Sequence, residues 1–258
     1  MGKVIITGAA NGIGRGITEK FLLNGHEVLM IDYDKKKLDA SLNELSSISS
    51  SIKNLCGDLK SKSFRSEIIE YVKKDFAEVN ILINCAGVFP SKSALEISEE
   101  EWDDVFDLNL KSVFFLSREI ARIMIYSKIE NANIINITSA ASEVARPGVS
   151  HYCSSKAGLK MLTQVLSLEF ARFNIRVNAV GPGLVETETL QRTLNNEDKI
   201  KEHREKISYS PLGRTAEIEE VAAGVYFISS TEASYITGQN LLIDGGYSAG
   251  RVFKTTNI

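Results

Sequence analysis

The chain has 258 residues, 43% of them hydrophobic, which suits one large α/β domain better than two small ones. A formal net charge of −3 and a pI near 5.8 leave no electrostatic footprint for nucleic acid or for an anionic membrane surface. No stretch approaches the roughly 20 apolar residues that span a bilayer, and Cys56, Cys85 and Cys153 are too unevenly spaced, with a histidine near Cys153 alone, for a disulfide framework or a metal site.

The opening MGKVIITGAA runs apolar residues straight into a glycine turn, so no secretory leader is expected and a cytoplasmic location is. After the strand KVIIT, the stretch TGAANGIGRGI carries Gly8, Gly12 and Gly14 into a helical pattern over 12–24. Glycines at a strand-to-helix turn allow tight bending, close approach of a pyrophosphate and contact of helix with sheet, so a nucleotide site is expected here. The second strand, EVLMI, ends at Asp32, about 20 residues on, where an acid binds an adenosine ribose. A carboxylate there accepts from both ribose hydroxyls and repels a 2′-phosphate, which points to NAD over NADP. Asp34 already suits the N-cap of a helix over 34–46, leaving Asp32 for the ribose. Arg15 and the Lys35 to Lys37 run argue the other way, as cations that could attract that phosphate.

The serine-rich connection 46–51 leads to the strand IKNLC, then GDL, whose Asp58 could bond an adenine amino group, and a helix over 61–76. The strand NILIN is followed by Asn84, Cys85, Ala86 and Gly87, the last two small enough for backbone to lie near cofactor sugars. A helical pattern over 99–127 comes next. The strand NIINIT then delivers Ser139 to the carboxyl edge of a parallel sheet, the edge that also holds the start of a helix over 151–173. That helix begins HYCSSKAGLKML, with Tyr152 four residues ahead of Lys156 on one face. A free phenol titrates at about 10 and a nearby ammonium favours its phenolate, so Lys156 is expected to lower the pKa of Tyr152. The chain continues with IRVNAV, a polar segment 184–210, a helix near 217–229 and the strand NLLI. Nearly all-apolar strands, each followed by a helix, predict a single-domain α/β fold over 1–258, a doubly wound, mostly parallel seven-stranded sheet with helices on both faces. Ligands of such sheets bind beyond the carboxyl ends of the strands.

Taken together, these motifs resemble the short-chain dehydrogenase/reductase family over essentially the whole chain. Gly8, Gly12 and Gly14 match its glycine motif; Asn84, Ala86 and Gly87 match its N-N-A-G, with Cys85 in place of the second asparagine. Asn109 in DLNL matches the helix asparagine, Ser139 the serine thirteen residues before the tyrosine, and Tyr152 with Lys156 the Y-x-x-x-K pair. Pro182, Gly183 and Thr187 in GPGLVET match the nicotinamide-side turn, and DGG at 244–246 the closing segment. The resemblance implies a Rossmann fold and hydride transfer between NAD(H) and a secondary alcohol or ketone. In that scheme Tyr152 exchanges the proton, Ser139 positions the substrate oxygen, Lys156 binds the nicotinamide ribose, and Asn109 holds a water linking Lys156 to solvent. It also implies cofactor contacts from Asn11, Ile13, Leu59 and Val185, a substrate lid at 184–210, and a homotetramer built through the 99–127 and 151–173 helices and the last strand.

The segments bordering the substrate carry Glu143, Arg146, His151, Glu188, His203 and Arg204 beside Phe89 and Tyr209. That mixture is more polar than a lipid slot needs and favours a small polyhydroxy alcohol or sugar. Two alternatives remain open: a 3-oxoacyl thioester (acyl-carrier-protein) reductase, which would prefer NADPH, and a non-catalytic NAD(H)-sensing or interaction protein. For the tail YSAGRVFKTTNI, packing across an interface and fraying are both open.

Overall fold

Alternating apolar side chains divide each strand between two helical layers, and that division builds the molecule. A computed structural model describes residues 2–193 and 195–250; the expectation for the tail over 251–258 lies outside them. The strands are β1 (Lys3–Thr7), β2 (Glu27–Asp32), β3 (Ile52–Cys56), β4 (Val79–Asn84), β5 (Ala132–Ile137), β6 (Ile175–Pro182) and β7 (Asn240–Ile243). They form one sheet in the order β3-β2-β1-β4-β5-β6-β7, with every pair parallel. The expected mostly parallel sheet is therefore wholly parallel among the described residues.

The helices are α1 (Gly12–Leu23), α2 (Lys35–Leu45), α3 (Lys62–Asp75), α4 (Glu99–Phe106), α5 (Ser112–Tyr126), α6 (Ser150–Phe170), α7 (Glu188–Thr193), α8 (Glu197–Ser208) and α9 (Ile218–Ser229). Val4, Ile6, Val28 and Met30 pack with Phe21 of α1, Leu38 of α2 and Val225 of α9 on one face. Ile5, Leu29 and Ile31 pack with Ile68 of α3, Ile120 of α5 and Leu166 of α6 on the other. Such period-two partition buries both faces of a parallel sheet. Strand order reverses between β1 and β4, so their outgoing turns diverge and leave a crevice at the carboxyl edge.

Two departures from the sequence reading matter. The helix expected over 99–127 is broken by a π turn at Asp107–Lys111, between α4 and α5. The polar segment 184–210 contains α7 and α8. Helix α8 buries no residue, so it has no apolar stripe to read. Its local support is the Asn196 side chain accepting from the Lys199 N–H, and Glu202 flanked by Lys199 and Lys206. Among the described residues, no helix is long and apolar enough to cross a membrane.

Candidate active site

A cavity of about 920 Å³ runs along the carboxyl edge of the sheet. The turns after the strands supply its wall: Asp58 and Leu59 follow β3, and Asp32 ends β2. Gly8, Asn11, Gly12, Ile13 and Gly14 follow β1, Ala86 and Gly87 follow β4, Ser139 follows β5, and Pro182, Gly183 and Thr187 end or follow β6. Tyr152 and Lys156 enter from α6.

The glycines serve different ends. A Cβ on Gly14 would lie 2.0 Å from the Gly8 carbonyl oxygen, and one on Gly8 would lie 2.8 Å from the Ala86 backbone nitrogen. Both therefore permit close packing. Gly12 has φ +51° and meets only Thr187 Cγ2 at 3.7 Å, so its backbone borders open space at the start of α1. Asn11 stands at the N-cap without a side-chain capping bond, which leaves its amide free to face the cavity. Thr7 was not foreseen. Its Oγ1 accepts from the backbone N–H groups of Cys85 and Ala86 at 3.0 and 3.1 Å, tying the turn after β4 to the end of β1. The only sequence signal was a hydroxyl residue directly before Gly8.

Asp32 is nearly buried, at 9% exposure. Its Oδ2 accepts from the Ala10 N–H and its Oδ1 from the Asp34 N–H, each at 3.0 Å. A carboxylate offers about four acceptor positions, so each oxygen retains one toward the cavity. Asp34 caps α2 as expected, accepting from the Lys37 N–H at 3.1 Å.

Two expected contacts are placed elsewhere. Asn84, 3% exposed, is turned into the fold, its amide donating to Ser117 Oγ at 3.0 Å and to Asn136 Oδ1 at 2.9 Å. The ladder continues from Asn136 to Thr163 Oγ1. Val185 packs its side chain into the core and pairs its backbone with Ala216. Asn109 is fully buried within the π turn; its Oδ1 accepts from the Val88 N–H, while its amide donates to Val88 O and Ser155 Oγ. That side chain makes three hydrogen bonds within the protein, and its Oδ1, which borders Gly87 on the side of Lys156, keeps a second lone pair.

At the other end, Ser139 Oγ accepts from the Ala141 N–H at 3.1 Å, which fixes the oxygen and leaves the hydroxyl hydrogen to donate. Lys156 is 5% exposed and donates to the Ile137 carbonyl at 2.7 Å, with Nζ 5.8 Å from the Tyr152 ring centroid. Burial pushes the Lys156 ammonium down to about 8. Burial also lifts the Tyr152 phenol above its ordinary value, against the opposing pulls of the Ser139 hydroxyl and the Arg146 charge. The expected lowering by Lys156 does not decide the phenol in the protein alone: burial is the largest cause, and the opposing charge is that of Arg146. Burial likewise pushes the Cys85 thiol up to about 12, which disfavours its thiolate.

Several polar residues assigned to the substrate end are otherwise engaged. Glu143 binds Lys160 at 2.7 Å and Asn240 at 3.0 Å, and the Tyr209 hydroxyl donates to Glu205, whereas His151 is buried with its Nδ1 unpartnered. Phe89 stands edge-on to Tyr152, with ring centroids 4.5 Å apart, and carries the Arg146 guanidinium 5.0 Å from its own centroid.

Comparison with known proteins places this geometry. The Enoyl-(Acyl carrier protein) reductase family model matches residues 8–248. A 3-oxoacyl-(acyl-carrier-protein) reductase of Thermotoga maritima is 36% identical over 246 residues, spanning 95% of this chain and 97% of its own. An NAD-dependent glycerol dehydrogenase of Listeria innocua is likewise 36% identical over 246 residues, spanning 95% of this chain and 92% of its own. Among solved structures, a 4-hydroxyisoleucine dehydrogenase complexed with NADH superposes with a TM-score of 0.88 at 29% identity, over 97% of this chain and all of that one. With the parallel sheet, the glycine turn and the Ser139, Tyr152 and Lys156 cluster in place, the chain belongs to the short-chain dehydrogenase/reductase family of oxidoreductases, which act on a CH–OH group.

Proposed function

We propose that this protein is an NAD(H)-dependent dehydrogenase that interconverts a small polar secondary alcohol, of the sugar or polyol class, with its ketone. The observation that carries the reading is the shared cavity, in which Ser139, Tyr152 and Lys156 open onto the same space as Gly12 and Asp32. Its wall fits a dinucleotide. The open backbone at Gly12 suits the pyrophosphate, the spare lone pairs of Asp32 suit the ribose hydroxyls, and Asp58 with Leu59 flanks an adenine. Ala86, Gly87, Pro182, Gly183 and Thr187 would border the nicotinamide half. When bound, the nicotinamide supplies the centre that gains or gives up the hydride.

The chain's own residues manage the proton. Tyr152 Oη takes the alcohol proton during oxidation and returns it during reduction. Ser139, its oxygen held by Ala141, donates its hydrogen to the substrate oxygen. Lys156 spends one of three N–H donors on Ile137 and has two for the ribose and the phenol. The second lone pair of Asn109 Oδ1 and the backbone groups of the π turn are the acceptors for a water linking Lys156 to solvent.

The preference for NAD rests on Asp32 and on the pairing of three of the four cations that could otherwise hold a 2′-phosphate, Lys36 being the exception among the described residues. Arg15 faces Glu44 at 2.9 Å, Lys35 faces Asp39 at 2.9 Å and Lys37 faces Asp34 at 3.2 Å. The NAD dependence of the Listeria relative and the NADH of the solved neighbour support the same choice. A homotetramer in the cytoplasm, with 184–210 as a substrate lid, belongs to this proposal. The exposed Met161, Val165 and Leu168 of α6 support assembly through that helix. A second reading, reduction of a 3-oxoacyl thioester, is favoured by the Thermotoga relative at the same identity.

The experiment follows NADH formation with sugars, polyols and simple secondary alcohols, beside reduction of an acetoacetyl thioester with NADPH. Turnover of a polyhydroxy compound with NAD is the expected result, and activity confined to the thioester with NADPH refutes it. Tyr152→Phe should retain NADH binding while turnover falls at least ~100-fold; a mutant with substantial activity removes Tyr152 from the mechanism.

A further inference from the structure

We propose that Arg146 is a specificity determinant that binds a carboxylate on the substrate, so that the alcohol oxidised is a small hydroxy acid. The inference rests on the dehydrogenase reading and narrows its substrate class. Among the described residues, Arg146 makes no hydrogen bond and has no acidic partner. Charged groups nearby are neutralised in pairs: Lys92 with Glu101 and Glu143 with Lys160, each at 2.7 Å, and Lys60 with Asp104 at 2.8 Å. Glu101 and Asp104 face the cavity, so without Lys92 and Lys60 this end would repel an anion. With them in place, two cations without an acidic partner remain beside Tyr152: the Lys156 ammonium, which donates to the Ile137 carbonyl, and the Arg146 guanidinium, which makes no hydrogen bond.

The geometry gives the guanidinium a defined aim. Arg146 comes from the loop between β5 and α6 and lies over the Phe89 ring, which arrives from the turn after β4. The cation–π contact with Phe89 holds the guanidinium at that ring, while its N–H donors, bonded to no protein group among the described residues, remain for a bidentate acceptor. Phe89 in turn meets Tyr152 edge-on. Two steps, of 5.0 and 4.5 Å, thus separate the cation from the phenol ring. A short carbon chain spans that gap, placing a hydroxyl at Tyr152 and a carboxylate at Arg146. The exposed part of the Phe89 ring, 52% accessible, offers an apolar ridge beneath the chain. An uncharged polyol would leave the guanidinium without an anion, and an extended thioester would present it with a neutral acyl group.

The test compares kcat/KM with NAD for a sugar acid and for the polyol of the same carbon length, in the wild type, Arg146→Gln and Arg146→Lys. The wild type should prefer the acid, and Arg146→Gln should reduce the acid-to-polyol ratio by about 10–100-fold, through KM rather than kcat. Arg146→Lys should restore part of it. Taking the ratio removes any general loss of folded enzyme, and NADH binding by each variant reports on the fold directly. Wild-type turnover of both compounds without preference for the acid, or a ratio unmoved by Arg146→Gln, overturns the inference and leaves the dehydrogenase reading standing. Turnover of neither compound overturns both.

Discussion

Replacing Asp32 by Asn keeps the shape of the side chain and removes its charge and one of its two oxygens. In the native protein the two oxygens answer different backbone donors, the Ala10 N–H and the Asp34 N–H, both at 3.0 Å. The variant can satisfy one, and the other donor then faces an NH₂ group. An unsatisfied donor in this nearly buried setting costs about 1–3 kcal/mol, and for a chain of this size each kcal/mol lowers Tm by about 2–4 °C. The cofactor effect is separable. The remaining amide oxygen, occupied by backbone, is a weaker acceptor for the ribose, and loss of one hydrogen bond to a charged group weakens NADH by about 10–100-fold. NADPH suffers no such loss, because the charge that repels its 2′-phosphate is gone. Fluorescence titration with both nucleotides, read beside Tm, should show the ratio of the two Kd values moving at least ~10-fold toward NADPH. A lowered Tm with an unchanged ratio would refute the reasoning and reduce Asp32 to a clamp on two turns.

Asn84→Leu tests the displaced asparagine. It leaves Asn136 Oδ1 and Ser117 Oγ without their donor, so stability should fall by about 1–3 kcal/mol in a denaturant melt, while NADH affinity measured well below Tm stays within a few-fold; a large loss of affinity at full folding would return Asn84 to the cofactor site. In the protein alone, Lys156 gives up its proton near about 8 and Tyr152 later than a free phenol. An ultraviolet titration of tyrosinate, compared with Tyr152→Phe, should therefore show this phenol ionising above pH about 10, and ionisation below about 9 would contradict the dominance of burial.

The sheet was legible because its strands are short apolar runs and the helices between them, α8 apart, keep an apolar stripe, so Gly8, Asp32, Ser139 and Tyr152 could be placed at one edge from the sequence alone. What escaped is local and non-periodic. The π turn at Asp107–Lys111 keeps the apolar pattern of the helices around it, and a single extra residue per turn leaves no compositional trace. Asn84 sits in a motif that reads as cofactor contact, yet alternation along β4 turns its side chain toward Ser117 and Asn136; the partners lie 33 and 52 residues away. Thr7 is held to its role by groups 78 and 79 residues distant. Arg146 was counted among polar neighbours of the substrate, but its freedom from any acid could be established only after Glu143, Glu101 and Asp104 had found their partners.

Burial acts on Tyr152 and Lys156 in opposite directions, and this decides how the pair works. In water the two groups titrate within a unit of each other. Desolvation disfavours whichever form is charged, so it lowers the ammonium to about 8 and raises the phenol, widening the gap. At neutral pH the lysine remains protonated, below its folded pKa, and the tyrosine remains a phenol. A standing phenolate at this depth would be an incompletely solvated anion, a state that costs several kcal/mol unless paired. The Ser139 hydroxyl and the Arg146 charge both favour that anion and still do not outweigh burial. The share of Tyr152 in its basic, phenolate form must therefore rise with whatever enters the cavity, positive charge or a hydrogen-bonding alcohol. Proton transfer then becomes coupled to ligand binding, and at neutral pH the folded protein does not carry the isolated anion.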